Sequence, residues 1–171
     1  MAARFDPSRR RALQALRVGV EHGPVMRPPW SLAEEPFLAG CTRCGACIEA
    51  CPERILRHDA GGRPRVDFEL GGCTFCRRCA ESCPAGVFVD PVDAPAWSAR
   101  ATVTAACLTR QGVYCSSCRD SCEATAISFP PARGEVPRPR IDVERCTGCG
   151  ACVAVCPSAA ISVAHPEYAL P

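Results

Sequence analysis

The sequence predicts an α+β chain of two tandem units, with short strands and short helices around cores organised by cysteine rather than by large apolar side chains. Three observations predict it. Cysteine supplies 16 of the 171 residues. Those cysteines fall into four runs, three of them spaced C-x2-C-x2-C-x3-C. One heptad also occurs twice. Arg63-Pro64-Arg65-Val66-Asp67-Phe68-Glu69 precedes the second run, and Arg138-Pro139-Arg140-Ile141-Asp142-Val143-Glu144 precedes the fourth. Self-similarity at long period marks a duplicated supersecondary unit.

Run one is Cys41, Cys44, Cys47 and Cys51, followed by Pro52. Run two is Cys73, Cys76, Cys79 and Cys83, followed by Pro84, and run four is Cys146, Cys149, Cys152 and Cys156, followed by Pro157. This is the ligand run of bacterial iron–sulfur ferredoxins. A cubane [4Fe-4S] cluster takes one thiolate at each of four irons, and three cysteines two residues apart can wrap one face of it. Glycines such as Gly148 and Gly150 let the loop turn with φ > 0 and bring backbone N–H groups close to sulfur. The fourth cysteine has turned away from that face and, in two-cluster ferredoxins, ligates the neighbouring cluster. The proline then fixes φ and steers the chain outward. Run three is irregular: seven residues separate Cys107 from Cys115, Cys118 and Cys122 come next at the usual spacing, and Glu123 replaces the proline.

Two rival uses of cysteine fit less well. A secreted disulfide scaffold needs a signal peptide, but residues 12–26 carry Arg17, Glu21 and His22 where an apolar stretch would be required. Cysteines two apart in a tight loop are also awkward bridge partners. Structural zinc prefers paired C-x2-C knuckles separated by a longer gap, which these runs do not show. With no 18-residue apolar run, no membrane span is expected. All 20 basic residues are arginine, scattered among 18 acids to a net charge of +2, with no basic stripe or stacking platform for nucleic acid. His22, His58 and His165 lie outside the cysteine runs, and solvated or capping roles are expected for them. No Gly-rich phosphate loop and no nucleophile–base pair stands out, so no catalytic residue is assigned and the chain is not expected to be an enzyme. A thin apolar core leaves bound metal to supply much of the folding energy.

Along the chain, Ser8 is a candidate N-cap for a short helix over residues 9–18, with Ala12, Leu13 and Leu16 on one face. Arg9-Arg10-Arg11 is superficially similar to a twin-arginine export signal, but the residues after it are too polar for one. A solvated helix start and a docking arm both fit. Arg27-Pro28-Pro29-Trp30-Ser31 resists helix, and Trp30 reads as a plug for the first cluster unit, the favoured role for a lone tryptophan, or as an exposed anchor for a partner. Each repeated heptad ends in apolar–polar alternation and predicts a short strand, entered through Gly61-Gly62 in the first copy and Arg133-Gly134 in the second. Ile55, Val87, Ile127 and Ile161 come after the four runs and are expected to cover the clusters and pair as short strands. Residues 91–106 show no regular pattern and read as a connection. The resulting division is an N-terminal arm at 1–35, a ferredoxin-like two-cluster unit at 36–92, a linker at 93–102, a second such unit at 103–165, and a tail at 166–171.

If each unit adopts the crossed pattern, Cys41, Cys44, Cys47 and Cys83 hold one cluster and Cys51, Cys73, Cys76 and Cys79 a second. Cys107, Cys115, Cys118 and Cys156 then hold a third, and Cys122, Cys146, Cys149 and Cys152 a fourth. Four [4Fe-4S] clusters use all 16 thiols, three of them centred on regular runs and one on the irregular run. Arg43, Arg77, Arg78 and Arg119 sit inside the ligand loops. They read either as plain surface arginines or as charges that raise a nearby cluster's potential or meet acidic groups of a partner.

Over nearly its whole length the chain resembles the NapF-type ferredoxin-like proteins, accessories of the periplasmic nitrate reductase system. The resemblance rests on Ser8-Arg9-Arg10 with Leu13, Arg27-Pro28-Pro29-Trp30-Ser31, and Cys41-Thr42-Arg43-Cys44. It continues through Trp97 and Ala106-Cys107-Leu108 to the irregular third run, ending Asp120-Ser121-Cys122-Glu123. It implies a cytoplasmic iron–sulfur protein that binds the precursor of the nitrate reductase catalytic subunit and assists its maturation before export. The alternative is an ordinary polyferredoxin electron carrier or a redox subunit of a respiratory complex.

Overall fold

The computed structural model describes residues 25–90 and 95–165. The architecture repeats one local plan four times. Two cysteines lie in an extended loop, and a single-turn helix carries the third with its side chain inward. The fourth comes just after the helix, and a tight turn then delivers an apolar side chain to the interior. The helices are α2 (Ala46–Glu49), α3 (Arg78–Glu81), α4 (Ser117–Asp120) and α5 (Ala151–Ala154), preceded by a longer α1 (Glu34–Gly40). Their inward cysteines, Cys47, Cys79, Cys118 and Cys152, are all buried, as are the trailing residues Ile55, Val87, Ile127 and Ile161.

Three two-stranded antiparallel ladders hold these loops. Strand β1 (Leu56–His58) pairs with β2 (Pro64–Val66), Leu56 facing Val66. The turn between them is built by Asp59, whose carboxylate accepts the N–H groups of Gly61 and Arg63 at 2.8 Å each, while Gly62 takes φ 78°. Strand β4 (Ile127–Ser128) pairs in the same way with β5 (Arg140–Ile141). Both repeated heptads thus contain a strand, as their alternation predicts.

The stretch 91–106 departs from expectation. Arg100–Val103 forms strand β3 and pairs residue for residue with β6 (Ile161–Ala164). Its inward positions are Ala101, 5 % exposed, and the half-buried Val103, with the fully buried Ala99 just before the strand. Its partner lies some sixty residues away, so tertiary pairing rather than local propensity makes the strand. The first unit has a reduced counterpart. Ser31 bridges Phe88, Leu32 N–H donates to Val87 O at 3.0 Å, and Val89 N–H donates to Trp30 O at 2.8 Å. Val87 therefore sits beside a single bridge rather than in a full strand.

The Arg-Pro-Pro-Trp segment is fastened from both ends. Arg27, 9 % exposed, donates to both carboxylate oxygens of Glu34 (2.7 and 2.9 Å), to Asp59 Oδ2 (2.8 Å) and to Pro64 O (3.0 Å), with its guanidinium 5.2 Å from the Phe37 ring centroid. One cation thereby joins α1, the β1–β2 turn and β2. Trp30 is buried as expected and meets Phe75 edge-on at 6.3 Å.

The two halves share a seam. Phe75 packs on Trp97 at 5.6 Å and Trp97 on Phe68 at 6.0 Å, while Trp97 Nε1 donates to Thr147 O at 2.9 Å. Cys73 N–H donates to Cys149 O at 2.7 Å, a backbone bond from a loop of the first half to a loop of the second. Gly150 is required here: a β-carbon on it would sit inside the Phe68 ring.

The helix anticipated over residues 9–18, with Ser8 and the arginines after it, lies outside the described residues, as do His22 and the tail 166–171. Among the described residues no helix is long and apolar enough to cross a membrane.

Candidate metal centres

Folding gathers the 16 cysteines into four quartets around four small cavities. One cavity is lined by Cys41, Cys44, Cys47 and Cys83, and a second by Cys51, Cys73, Cys76 and Cys79. A third is lined by Cys107, Cys115, Cys118 and Cys156, and a fourth by Cys122, Cys146, Cys149 and Cys152. The last cysteine of each run thus lies in the cavity of the neighbouring run. The local plan explains this, because the single-turn helix reverses the chain between its third and fourth cysteines.

The irregular third run reaches the same arrangement. After Cys107 the chain makes a 3-10 helix, Leu108–Gln111, and Gly112 turns it back at φ 82°. Val113 N–H donates to Leu108 O at 2.9 Å and closes the loop. The seven intervening residues, five more than in the regular runs, form a compact excursion that returns Cys107 to the cavity of Cys115 and Cys118.

The chemistry of the walls suits an anionic, sulfur-rich occupant. Backbone N–H groups reach several sulfurs: Phe75 donates to Cys73 Sγ at 3.4 Å, Ala126 to Cys122 Sγ at 3.3 Å and Ala160 to Cys156 Sγ at 3.2 Å. Such bonds orient the thiolates and tune a cluster. Burial pushes the thiols of Cys47, Cys79 and Cys152 up to about 12, and neighbouring cysteines push them the same way. Burial likewise lifts Cys73 and Cys118 to about 11. For Cys107 burial also pushes upward, but hydrogen bonds with Thr109 and Arg110 outweigh it and hold the thiol below its usual range. At exposed Cys44 the Ala46 N–H acts first among the causes that lower the thiol. Four thiolates gathered at one cavity, the third of each run buried, need positive charge at the centre, which iron supplies. Among the described residues no three His, Cys, Asp or Glu side chains converge as on a single metal ion. The sulfurs instead line the cavity walls.

The cavities form a row. Helix α2 packs on α3, and α4 on α5. Cys47 feels Cys79 of the second quartet, Cys73 feels Cys149 of the fourth across the seam, and Cys152 feels Cys118 of the third. The sequence of neighbours is therefore first, second, fourth, third.

The two described histidines bond outside the cavities. His58 Nδ1 pairs with Gly62 O at 3.0 Å, and His165 Nδ1 with Ser98 Oγ at 3.0 Å. Of the loop arginines, Arg43 and Arg77 line the first and second cavities, Arg78 is exposed, and Arg119 lies over Phe129 at 5.6 Å. Sequence reasoning missed the Arg27 clamp and the aromatic row at the seam. Phe75, a bulky side chain inside Cys73-Thr74-Phe75-Cys76, was the one available signal for the latter.

Fold and cysteine geometry together define a ferredoxin-type 4Fe-4S protein with about four clusters. In agreement, residues 40–87 and 113–160 each match the 4Fe-4S dicluster domain family. The chain is 43% identical to ferredoxin-type protein NapF of Escherichia coli (strain K12) over 162 residues, 95% of this chain and 97% of that one. It is 45% identical to the NapF of Haemophilus influenzae over 138 residues, 81% of this chain and 78% of the other. Similarity extends more weakly to the methylamine utilization ferredoxin-type protein MauM of Methylobacillus flagellatus, 34% over 165 residues, 85% of this chain and 70% of that one. The chain belongs to the NapF family of ferredoxin-type iron–sulfur proteins.

Proposed function

We propose that this chain is a cytoplasmic iron–sulfur accessory of the periplasmic nitrate reductase system. In this reading it binds the precursor of the catalytic subunit and assists its maturation before export, through electron or iron–sulfur transfer. The observation that carries the reading is end-to-end similarity to NapF relatives, with coverage of 95% here and 97% there, on a chain whose 16 cysteines fall into four quartets. Each quartet is taken as the ligand set of one cluster. When bound, a 4Fe-4S cluster supplies one-electron transfer at a potential set by its surroundings. The chain's own part is to hold four thiolates, donate N–H groups to sulfur and exclude water with the aromatic row and the trailing aliphatic residues. Ferredoxin-like units at 36–92 and 103–165 remain the working division, with Trp30–Leu32 and β3 as the flanking segments that close them.

Two measurements test the reading. Anaerobically purified protein should carry about 16 irons, four per cubane, whereas about 12 would remove one cluster. Affinity capture with the unexported catalytic subunit should recover a complex, and a deletion strain should export nitrate reductase that is inactive or poor in its own cluster. The row of cavities favours one other reading, an electron carrier for a respiratory complex. That reading predicts no such complex and a mature reductase starved of electrons.

A further inference from the structure

Arg77 stands where two of the other three runs place glycine, while run three has Ser116 there at φ −133°. In runs one and four the residue after the second cysteine is Gly45 or Gly150, and each starts its helix at φ 79°. In run two that position is Arg77, at φ 67°. A side chain with a β-carbon is disfavoured in this left-handed region, which Arg43 and Phe75 of the ligand loops also occupy. A second observation is independent of the first. Arg77 Nε is buried and has no hydrogen-bond partner, while the residue lines the cavity of Cys51, Cys73, Cys76 and Cys79. An orphaned cationic donor at the wall of an anion-binding cavity is incomplete until the occupant arrives. The third and fourth cavities have no charged side chain in their walls. In the first, Arg43 is exposed, and the second cavity's Glu53 is exposed too, so water screens both.

We propose that Arg77 is the potential-setting residue of the second site, donating its Nε–H and lending its fixed charge to the cluster there, which makes that site the most easily reduced of the four. The inference rests on the reading that this quartet holds a cluster. The electron comes from an added one-electron reductant, dithionite in the test, and no bond of the chain forms or breaks.

The test is an anaerobic redox titration of the full chain by electron paramagnetic resonance, with iron analysis alongside. Arg77→Gly, which installs the residue of runs one and four, should keep the iron content. It should also lower the midpoint of the first-reduced signal so that its reduced-to-oxidised ratio falls about tenfold, or 59 mV for one electron. Arg77→Lys, with the charge but not the fork, should fall between. Arg78→Gln, one residue on and exposed, should leave the titration unchanged. An unshifted Arg77→Gly, or an equal shift in Arg78→Gln, overturns the proposal, the latter in favour of a general field. Iron loss from Arg77→Gly overturns it in favour of a structural role. Failure of the underlying reading is seen separately: Cys76→Ser with unchanged iron and an unchanged first signal would show that the quartet holds no cluster, and the proposal would fall with it.

Discussion

Arg27 shows how one side chain can fix a segment that has no secondary structure of its own. Its partners differ in worth. Glu34 is half exposed, so that pair contributes little. The Asp59 side chain is 8 % exposed, and removing Arg27 leaves its carboxylate with two backbone donors but no counter-charge. Arg27→Ala should therefore cost about 3 kcal/mol, the low end for a broken buried pair because Asp59 keeps two backbone donors; faster urea-induced loss of visible absorption would register it. The same pair sets a pH dependence. Burial raises the Asp59 carboxyl, but hydrogen bonds from Arg27, Arg63 and Gly61 outweigh it and hold the group below its ordinary value of 3.8. A depressed folded pKa gives stability that is full above the ordinary value and is lost as pH falls through the lower folded one. The stability gap between wild type and Asp59→Asn should thus be constant near neutrality and close only below about pH 4. Neither role was legible in the sequence, because an arginine before Pro28-Pro29 carries no mark of which carboxylates folding will bring to it. The cysteines were legible because ligand chemistry repeats at fixed spacing.

Among the elements, the single-turn helix is the decisive device. At four residues it has no stability of its own, yet in each run it buries the third cysteine and sends the fourth to the neighbouring cavity. The crossed quartets were readable from run spacing for this reason. Strand β3 was not, since it is only four residues long, its one buried side chain is the small Ala101, and its partner β6 is remote in sequence. Crossing has a sharp consequence. Cys107→Ser and Cys156→Ser lie 49 positions apart but line one cavity. Each should lower iron from about 16 to about 12 per chain and remove the same resonance. Cys122→Ser should resemble Cys146→Ser instead. If Cys156→Ser matched Cys146→Ser, the quartets would be uncrossed and the assignment of all four sites would change.

At the scale of the whole molecule, the duplicated units are joined through their second and fourth cavities rather than merely linked in sequence. The bond from Cys73 N–H to Cys149 O places a ligand loop of one unit directly against a ligand loop of the other. The apolar cluster around Phe68 and Trp97 also includes Val153 and Val163 from the second half. The repeat in the sequence announced two units but not this seam, because glycines and aromatics at an interface look the same as glycines and aromatics within a loop. Gly150 tests the joint. It takes φ 79°, and a β-carbon there would overlap Phe68, so Gly150→Val combines backbone strain with displacement of the ring that backs Trp97. If the seam holds both loops in place, this variant should lose the second and fourth sites together, leaving about 8 irons of about 16 and sparing the two outer ones. Loss of the fourth site alone, leaving about 12, would show that the first unit keeps its second cavity without help from its neighbour.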